Sequence, residues 1–97
     1  MKKCNSLQEV RQEIDAIDTK LVDLISERSH LIRQAAAFKN SVDEVKADDR
    51  IDAIMQRVRK RAIELGINPN MISDLFTIMI DEMVETEIAE FRNDGKF

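Results

Sequence analysis

The stretch from Leu7 to Lys39 constrains the fold most, because its apolar residues recur every three or four positions with no Gly or Pro between them. This spacing predicts one amphipathic helix over about residues 6–40, roughly 50 Å long. Ser6 and Glu9 fit a capping box at its start. The apolar stripe comprises Leu7, Val10, Ile14, Ile17, Leu21, Leu24, Ile25, Leu31, Ile32, Ala35 and Phe38.

The length of this helix predicts a second copy of the chain. The whole sequence has 97 residues, and a compact globule of that size has a radius of gyration of only about 12 to 13 Å. The remaining residues cannot cover a helix several times that length. We therefore expect a homodimer.

The rest of the chain predicts two more helices, over residues 48–65 and 69–91. Gly66 is a suitable C-cap for the first of them, and Asn68-Pro69 supplies an N-cap followed by proline at the first helical position. Residues 40–47 are polar and aperiodic, which indicates a loop. With two Gly and one Pro in total, we expect an all-α protein whose residues 1–97 form a single domain.

Composition argues against several classes of function. A net charge of -4 disfavours a nucleic-acid partner, which would need a basic face. No apolar run approaches the ~20 residues of a membrane span, and no apolar segment follows the basic start, so we expect a cytoplasmic protein. Cys4 is the single cysteine and His30 the single histidine, and neither has partners spaced for metal binding. We expect no metal and no cofactor.

Arg28 and Lys39 interrupt the middle of the apolar stripe. On one continuous helix they would point within about 20° of each other and lie about 16 Å apart. Long cationic side chains can extend from such a stripe to its edge. Two cations on one narrow line of the helix repel each other unless a negative group lies between them. We therefore favour the interpretation that Arg28 and Lys39 bind a small, multiply anionic ligand.

Three other charged residues are candidates for the same site. Arg11 lies about 100° around the helix from Arg28, so it could serve the pocket of a partner subunit or be a solvated surface residue. Glu87 lies on the apolar side of the last helix, where it needs a cation such as Lys39 or Arg28, or a raised pKa. Arg50, at the start of the second helix, is either an anion contact or a surface residue.

These residues carry a resemblance to a known family. The order of Arg11, an Ile-Asp-x-Ile-Asp run, Arg28 and Lys39 in a three-helix chain resembles the all-helical chorismate mutases and the related isochorismate-pyruvate lyases. The similarity extends from Leu7 to about Phe91. The segments that carry it are LQEVRQEIDAID at 7–18, LISER at 24–28, RQAAAFK at 33–39 and ELGINP at 64–69.

The resemblance implies an intertwined homodimer whose two pockets each take residues from both chains. Arg11 of the partner would bind one substrate carboxylate, and Arg28 would bind the other. Lys39 would lie over the ether oxygen of the breaking bond, also touching a carboxylate, with Glu87 on the opposite side of that oxygen. Arg50 would lie at the pocket mouth. The implied substrate is chorismate or isochorismate.

The sequence departs from the typical mutase pattern in ways that leave the reaction open. Glu87 stands where many mutases have Gln, although some mutases of this fold use Glu. Ile51 replaces a Glu that holds the ring hydroxyl, and Met83 replaces a Ser. The loop between Lys39 and Arg50 is as short as in the lyases.

Three functions therefore remain. The first is rearrangement of chorismate to prephenate. The second is elimination of pyruvate from isochorismate to give salicylate, in the same pocket. The third is a helical dimerisation module with no chemistry. The sequence argues against the third function, because an apolar stripe that served only packing would be more stable with Leu at positions 28 and 39.

Overall fold

A computed structural model describes residues 3–93 of the chain, and within that range the only regular structure is helical. The four helices are α1 (Leu7–Ala36), α2 (Val42–Val45), α3 (Asp48–Leu65) and α4 (Pro69–Asn93). The predicted all-α class is confirmed. None of the helices in residues 3–93 is long and apolar enough to cross a membrane.

The chain divides into two compact units, Met1–Leu31 and Ile32–Phe97. In the first unit, the predicted capping box forms: Ser6 Oγ accepts a hydrogen bond from the Glu9 amide at 3.1 Å, and the Glu9 carboxylate accepts one from the Asn5 amide. The first contact satisfies an amide in the first turn of α1 that has no partner within the helix, and the second ties down the residue before Ser6. Most apolar side chains of α1 are exposed in the single chain.

Helix α1 ends at Ala36, earlier than the sequence pattern predicts. The next three amides, of Ala37, Phe38 and Lys39, each bond to the carbonyl three residues back, which tightens the chain into a turn. The Asn40 amide then donates to the Glu44 carboxylate at 2.7 Å. Phe38, predicted to belong to the apolar stripe, is consequently 82% exposed. Lys39 follows the helix, so the helical angle predicted between Arg28 and Lys39 does not apply.

The predicted loop over residues 40–47 contains the short helix α2. Ser41 is its N-cap, because its Oγ accepts a hydrogen bond from the Glu44 amide at 3.2 Å. Val45 at the other end is almost fully buried. A helical period is absent from these polar residues, so the sequence pattern does not predict this turn of helix. The turn is stabilised by its N-cap and by one buried apolar side chain.

The core of the second unit forms where α3 and α2 both pack against α4. Periodic apolar residues of α3 and α4 supply most of it, as the sequence predicts. Its buried hydrophobic members are Ala36, Val45, Ile54, Ala62, Ile80 and Phe91. Leu65 and Leu75, predicted to face inward, are about half exposed in the single chain.

The connection between α3 and α4 follows the predicted turn chemistry. Gly66 has φ 73° and ψ 25°, the left-handed conformation that favours glycine. The Ile67 amide reaches back to the Ala62 carbonyl at 2.9 Å, as in a Schellman motif. Asn68 Oδ1 accepts a hydrogen bond from the Asn70 amide at 2.9 Å, capping α4 ahead of Pro69.

Arg59 ties α3 to the first turn of α4. Its Nη1 donates to the carbonyl of Pro69 at 3.2 Å, to Asn70 Oδ1 at 3.1 Å and to Ser73 Oγ. The Ser73 hydroxyl in turn donates to the Pro69 carbonyl at 3.0 Å. The side chain is half-buried, so these contacts are partly shielded from water.

We expect Gly66→Ala to lower the free energy of unfolding by about 1 to 2 kcal/mol, because an L-residue is strained at positive φ. A Cβ at Gly66 would meet no atom within 4 Å, so backbone strain is the only cost. Asn tolerates this conformation better, and Gly66→Asn should lose less. Urea unfolding measures both values. Equal losses would contradict this explanation.

We expect Arg59→Leu to cost about 1.5 to 3 kcal/mol of unfolding free energy, the range for hydrogen bonds to a charged group. Arg57, which is exposed on the same helix, provides the matched control. Arg57→Leu should change stability by no more than about 0.5 kcal/mol. Similar losses in the two variants would show that the contacts of Arg59 with α4 contribute nothing.

Candidate active site

Glu87 is the one buried charged residue among residues 3–93. It lies in α4 on the same face as Ile80, Val84 and Phe91, at the three- and four-residue spacing of a helical stripe. Its residue surface is 3% exposed. A carboxylate taken out of water in this way needs a cation, hydrogen-bond donors or a proton.

Lys39 supplies the cation. Its Nζ lies 3.7 Å from Glu87 Oε2, which makes an ion pair but is too long for a hydrogen bond. The same Nζ donates a hydrogen bond to the backbone carbonyl of Glu44 at 3.1 Å. The Lys39 side chain is 24% exposed, so the ammonium group bridges a buried acid and an accessible surface.

Burial raises the pKa of Glu87 above its ordinary value of 4.5, and the nearby positive charge of Lys39 only partly offsets that increase. Glu87 Oε2 is buried and has no hydrogen-bond partner among the described residues. The sequence predicted either a cationic partner or a raised pKa for this carboxyl group, and the structure has both.

The pair can act on an oxygen atom that gains negative charge. A protonated Glu87 would donate a hydrogen bond, and the Lys39 ammonium group would add a full positive charge beside it. Two such groups that are already held in position stabilise a developing anion without the reorganisation that water would need. They do so without forming a covalent bond.

The other predicted site residues are distributed over both units. Arg11 is exposed and Arg28 is half-buried, and both belong to the first unit. Arg50 is exposed in the first turn of α3. The structure brings together Lys39 and Glu87, and the participation of the three arginines stays a prediction.

Sequence reasoning missed the role of Ser41 and Glu44 beside Lys39. The Glu44 carbonyl accepts a hydrogen bond from the Lys39 ammonium group, and its carboxylate accepts one from the next amide in the chain. The Ser-Val-Asp-Glu run at 41–44 has the spacing of a capping box. That spacing could have indicated a helix start at Ser41, although the residues after it lack the apolar period of a helix.

Potential metal ligands do not cluster in the described part of the chain: no group of three or more His, Cys, Asp or Glu side chains there could hold a metal ion.

The described part of the chain thus combines an all-helical fold with a buried carboxyl group that is paired to a lysine. The sequence matches the family model of chorismate mutase type II over residues 10–88, and the chain belongs to that family.

Three relatives are named for different activities. The chain is 34% identical to a chorismate mutase from Methanocaldococcus jannaschii, over 77% of each chain. It is 27% identical to an isochorismate pyruvate lyase from Pseudomonas aeruginosa, over 92% of this chain and 88% of the relative. It is also 27% identical to a 4-amino-4-deoxychorismate mutase from Streptomyces venezuelae, over 90% and 85% respectively.

The raised pKa of Glu87 makes a prediction about stability. Between pH 4.5 and the higher pKa in the native state, the folded protein binds more protons at this site than the unfolded chain. This contribution to stability is complete below pH 4.5 and is lost as the pH rises through the native pKa. Glu87→Gln removes the contribution, so its stability relative to wild type should rise over that window.

Urea unfolding across that pH range measures the difference. Glu85→Gln is the matched control, because Glu85 is exposed on the same helix and should follow the wild-type pH dependence. A stability difference between Glu87→Gln and wild type that does not change with pH would contradict the raised pKa.

Proposed function

We propose that this protein is a chorismate mutase that rearranges chorismate to prephenate. The observation that carries the proposal is the pair of Lys39 and buried Glu87, with a carboxyl oxygen that has no hydrogen-bond partner in the described range. The family membership and the chorismate mutase from M. jannaschii support the choice of substrate.

In this reaction the ether C–O bond of the substrate breaks while a C–C bond forms within the same molecule. Negative charge grows on the ether oxygen as the bond breaks. Lys39 would stabilise that charge with its ammonium group, and protonated Glu87, 3.7 Å from that group, would donate a hydrogen bond to the same oxygen. Arg28 and a partner's Arg11 would each bind a carboxylate and hold the substrate folded. Arg50 would bind anionic groups at the pocket mouth.

We further propose that the active protein is a homodimer. The first unit consists of little more than one helix, which cannot make a hydrophobic core alone. Its exposed apolar residues include Ile14, Ile17, Leu21 and Leu24, each about half exposed in the single chain. A continuous apolar surface of this kind is typical of a protein interface. A partner helix would complete one domain from residues 1–97.

Isochorismate pyruvate lyase activity in the same pocket is the second candidate. The relative from P. aeruginosa, which matches along nearly the whole chain, favours it. Ile51, half-buried in the first turn of α3, offers no acid to hold a ring hydroxyl, which also favours the lyase.

The third possibility is a dimerisation module without chemistry. Such a module would not need a buried Glu87, and the energetic cost of burying that carboxyl group argues against it. The cytoplasmic location stays a prediction.

A direct assay separates these functions. Purified protein is given chorismate or isochorismate, and prephenate is measured against salicylate plus pyruvate. We expect prephenate from chorismate, and we expect Lys39→Ala to lower the rate by about 10² to 10³, the usual cost of losing one such electrostatic group. Salicylate as the dominant product would favour the lyase, and no product from either substrate would favour the module.

The pH profile tests the proton on Glu87. Because the hydrogen bond to the ether oxygen needs a protonated carboxyl group, kcat should fall as pH rises through the pKa of Glu87, which lies above 4.5. Glu87→Gln keeps a donor at every pH, so its profile should be flat. Profiles of equal slope in the two proteins would remove Glu87 from this role.

Mixing two inactive variants tests the partner's contribution. If Arg11 serves the opposite pocket, a dimer of one Arg11→Ala chain and one Lys39→Ala chain has one intact pocket and one doubly defective pocket. An equal mixture, after subunit exchange, should regain about a quarter of wild-type activity, because half of its dimers are mixed. If Arg11 served its own chain's pocket, no mixed dimer would be active.

A further inference from the structure

Lys39 needs to be held in place, because it lies outside regular structure. It follows the end of α1, and lysine is a long, flexible side chain with many rotamers. Its ion pair with Glu87 spans 3.7 Å without the directionality of a hydrogen bond. A group that acts on a reacting oxygen must be fixed more closely than such a pair alone can achieve.

The segment that follows Lys39 provides this constraint through three hydrogen bonds centred on Glu44. Its carbonyl accepts from Lys39 Nζ at 3.1 Å, and its carboxylate accepts from the Asn40 amide at 2.7 Å. Its own amide donates to Ser41 Oγ at 3.2 Å. One residue therefore fixes both the backbone directly after Lys39 and the tip of the Lys39 side chain.

The short helix that carries Glu44 is itself anchored to the helix that carries Glu87. Val45, the next residue, is 2% exposed, and α2 packs against α4. The Glu44 carbonyl and the Glu87 carboxyl group are thus attached to elements that pack together. Lys39 Nζ is held between them.

We propose that Glu44 is a positioning residue for Lys39 and that α2 exists to present its carbonyl to the Lys39 ammonium group. This inference rests on the proposed function in assigning Lys39 to the reaction. Glu44 itself does not touch the reacting atoms. Its carboxylate acts by closing the turn at Asn40, so an amide of the same shape should largely replace it.

Chemical labelling tests the arrangement without reference to activity. The full-length protein is treated briefly with an amine-acetylating reagent, and modification at Lys39 is followed by mass spectrometry. Glu44→Ala should increase the initial rate at Lys39 about fivefold, the factor expected for loss of one hydrogen bond. Asp43→Ala removes the same charge from an exposed neighbour and should leave the rate unchanged. Equal labelling rates in Glu44→Ala and Asp43→Ala would overturn the proposal.

Kinetics on chorismate test the consequence. We expect Glu44→Ala to lower kcat about tenfold, with less change in KM, because the misplaced group acts on the transition state. Glu44→Gln should recover most of the rate, and Asp43→Ala should retain it. If Glu44→Ala keeps wild-type kcat while Lys39→Ala is inactive, the positioning role is overturned and the proposed function stands.

The two kinds of failure are distinguishable. If wild-type protein does not turn over chorismate, the proposed function fails, and labelling still decides whether Glu44 holds Lys39. Faster labelling at Lys39 in Glu44→Ala would then support the positioning of Lys39 by Glu44 without the proposed function. Unchanged labelling would overturn the positioning role as well.

Discussion

The burial of one carboxyl group, that of Glu87, is the constraint on which the rest of the second unit depends. A carboxylate in an apolar helix face is costly, and its neighbours reduce the cost without removing it. Lys39 supplies a counter-charge, yet the pKa of Glu87 remains raised because desolvation outweighs the ion pair. A core built only for stability would place an apolar residue there. The proposed function would give this buried acid a chemical role.

Sequence periodicity predicted the elements that are long and amphipathic. The caps at Ser6, Gly66 and Asn68 form with the predicted geometry, because each depends on neighbouring residues alone. The buried position of Glu87 was also predictable, since the period of α4 places it on an apolar face. These features need no information about the rest of the chain.

The end of α1 and the presence of α2 could not be read from periodicity. Phe38 and Lys39 continue the three- and four-residue spacing, so the pattern alone extends the helix to them. The competing capping contacts of Glu44 with Asn40 and Ser41 favour a turn instead. Arg59 was missed for another reason, because its partners lie across a helix connection that a single-helix wheel does not represent.

The exposed apolar stripe of α1 has a consequence for how such a protein behaves in a cell. If a second copy covers that stripe, folding is bimolecular, and stability increases with the concentration of the chain. A newly made chain would expose leucine and isoleucine side chains until it meets a partner. During that interval chaperones and proteases compete for it. Expression level would then set the fraction of chains that survive, as well as the total catalytic capacity.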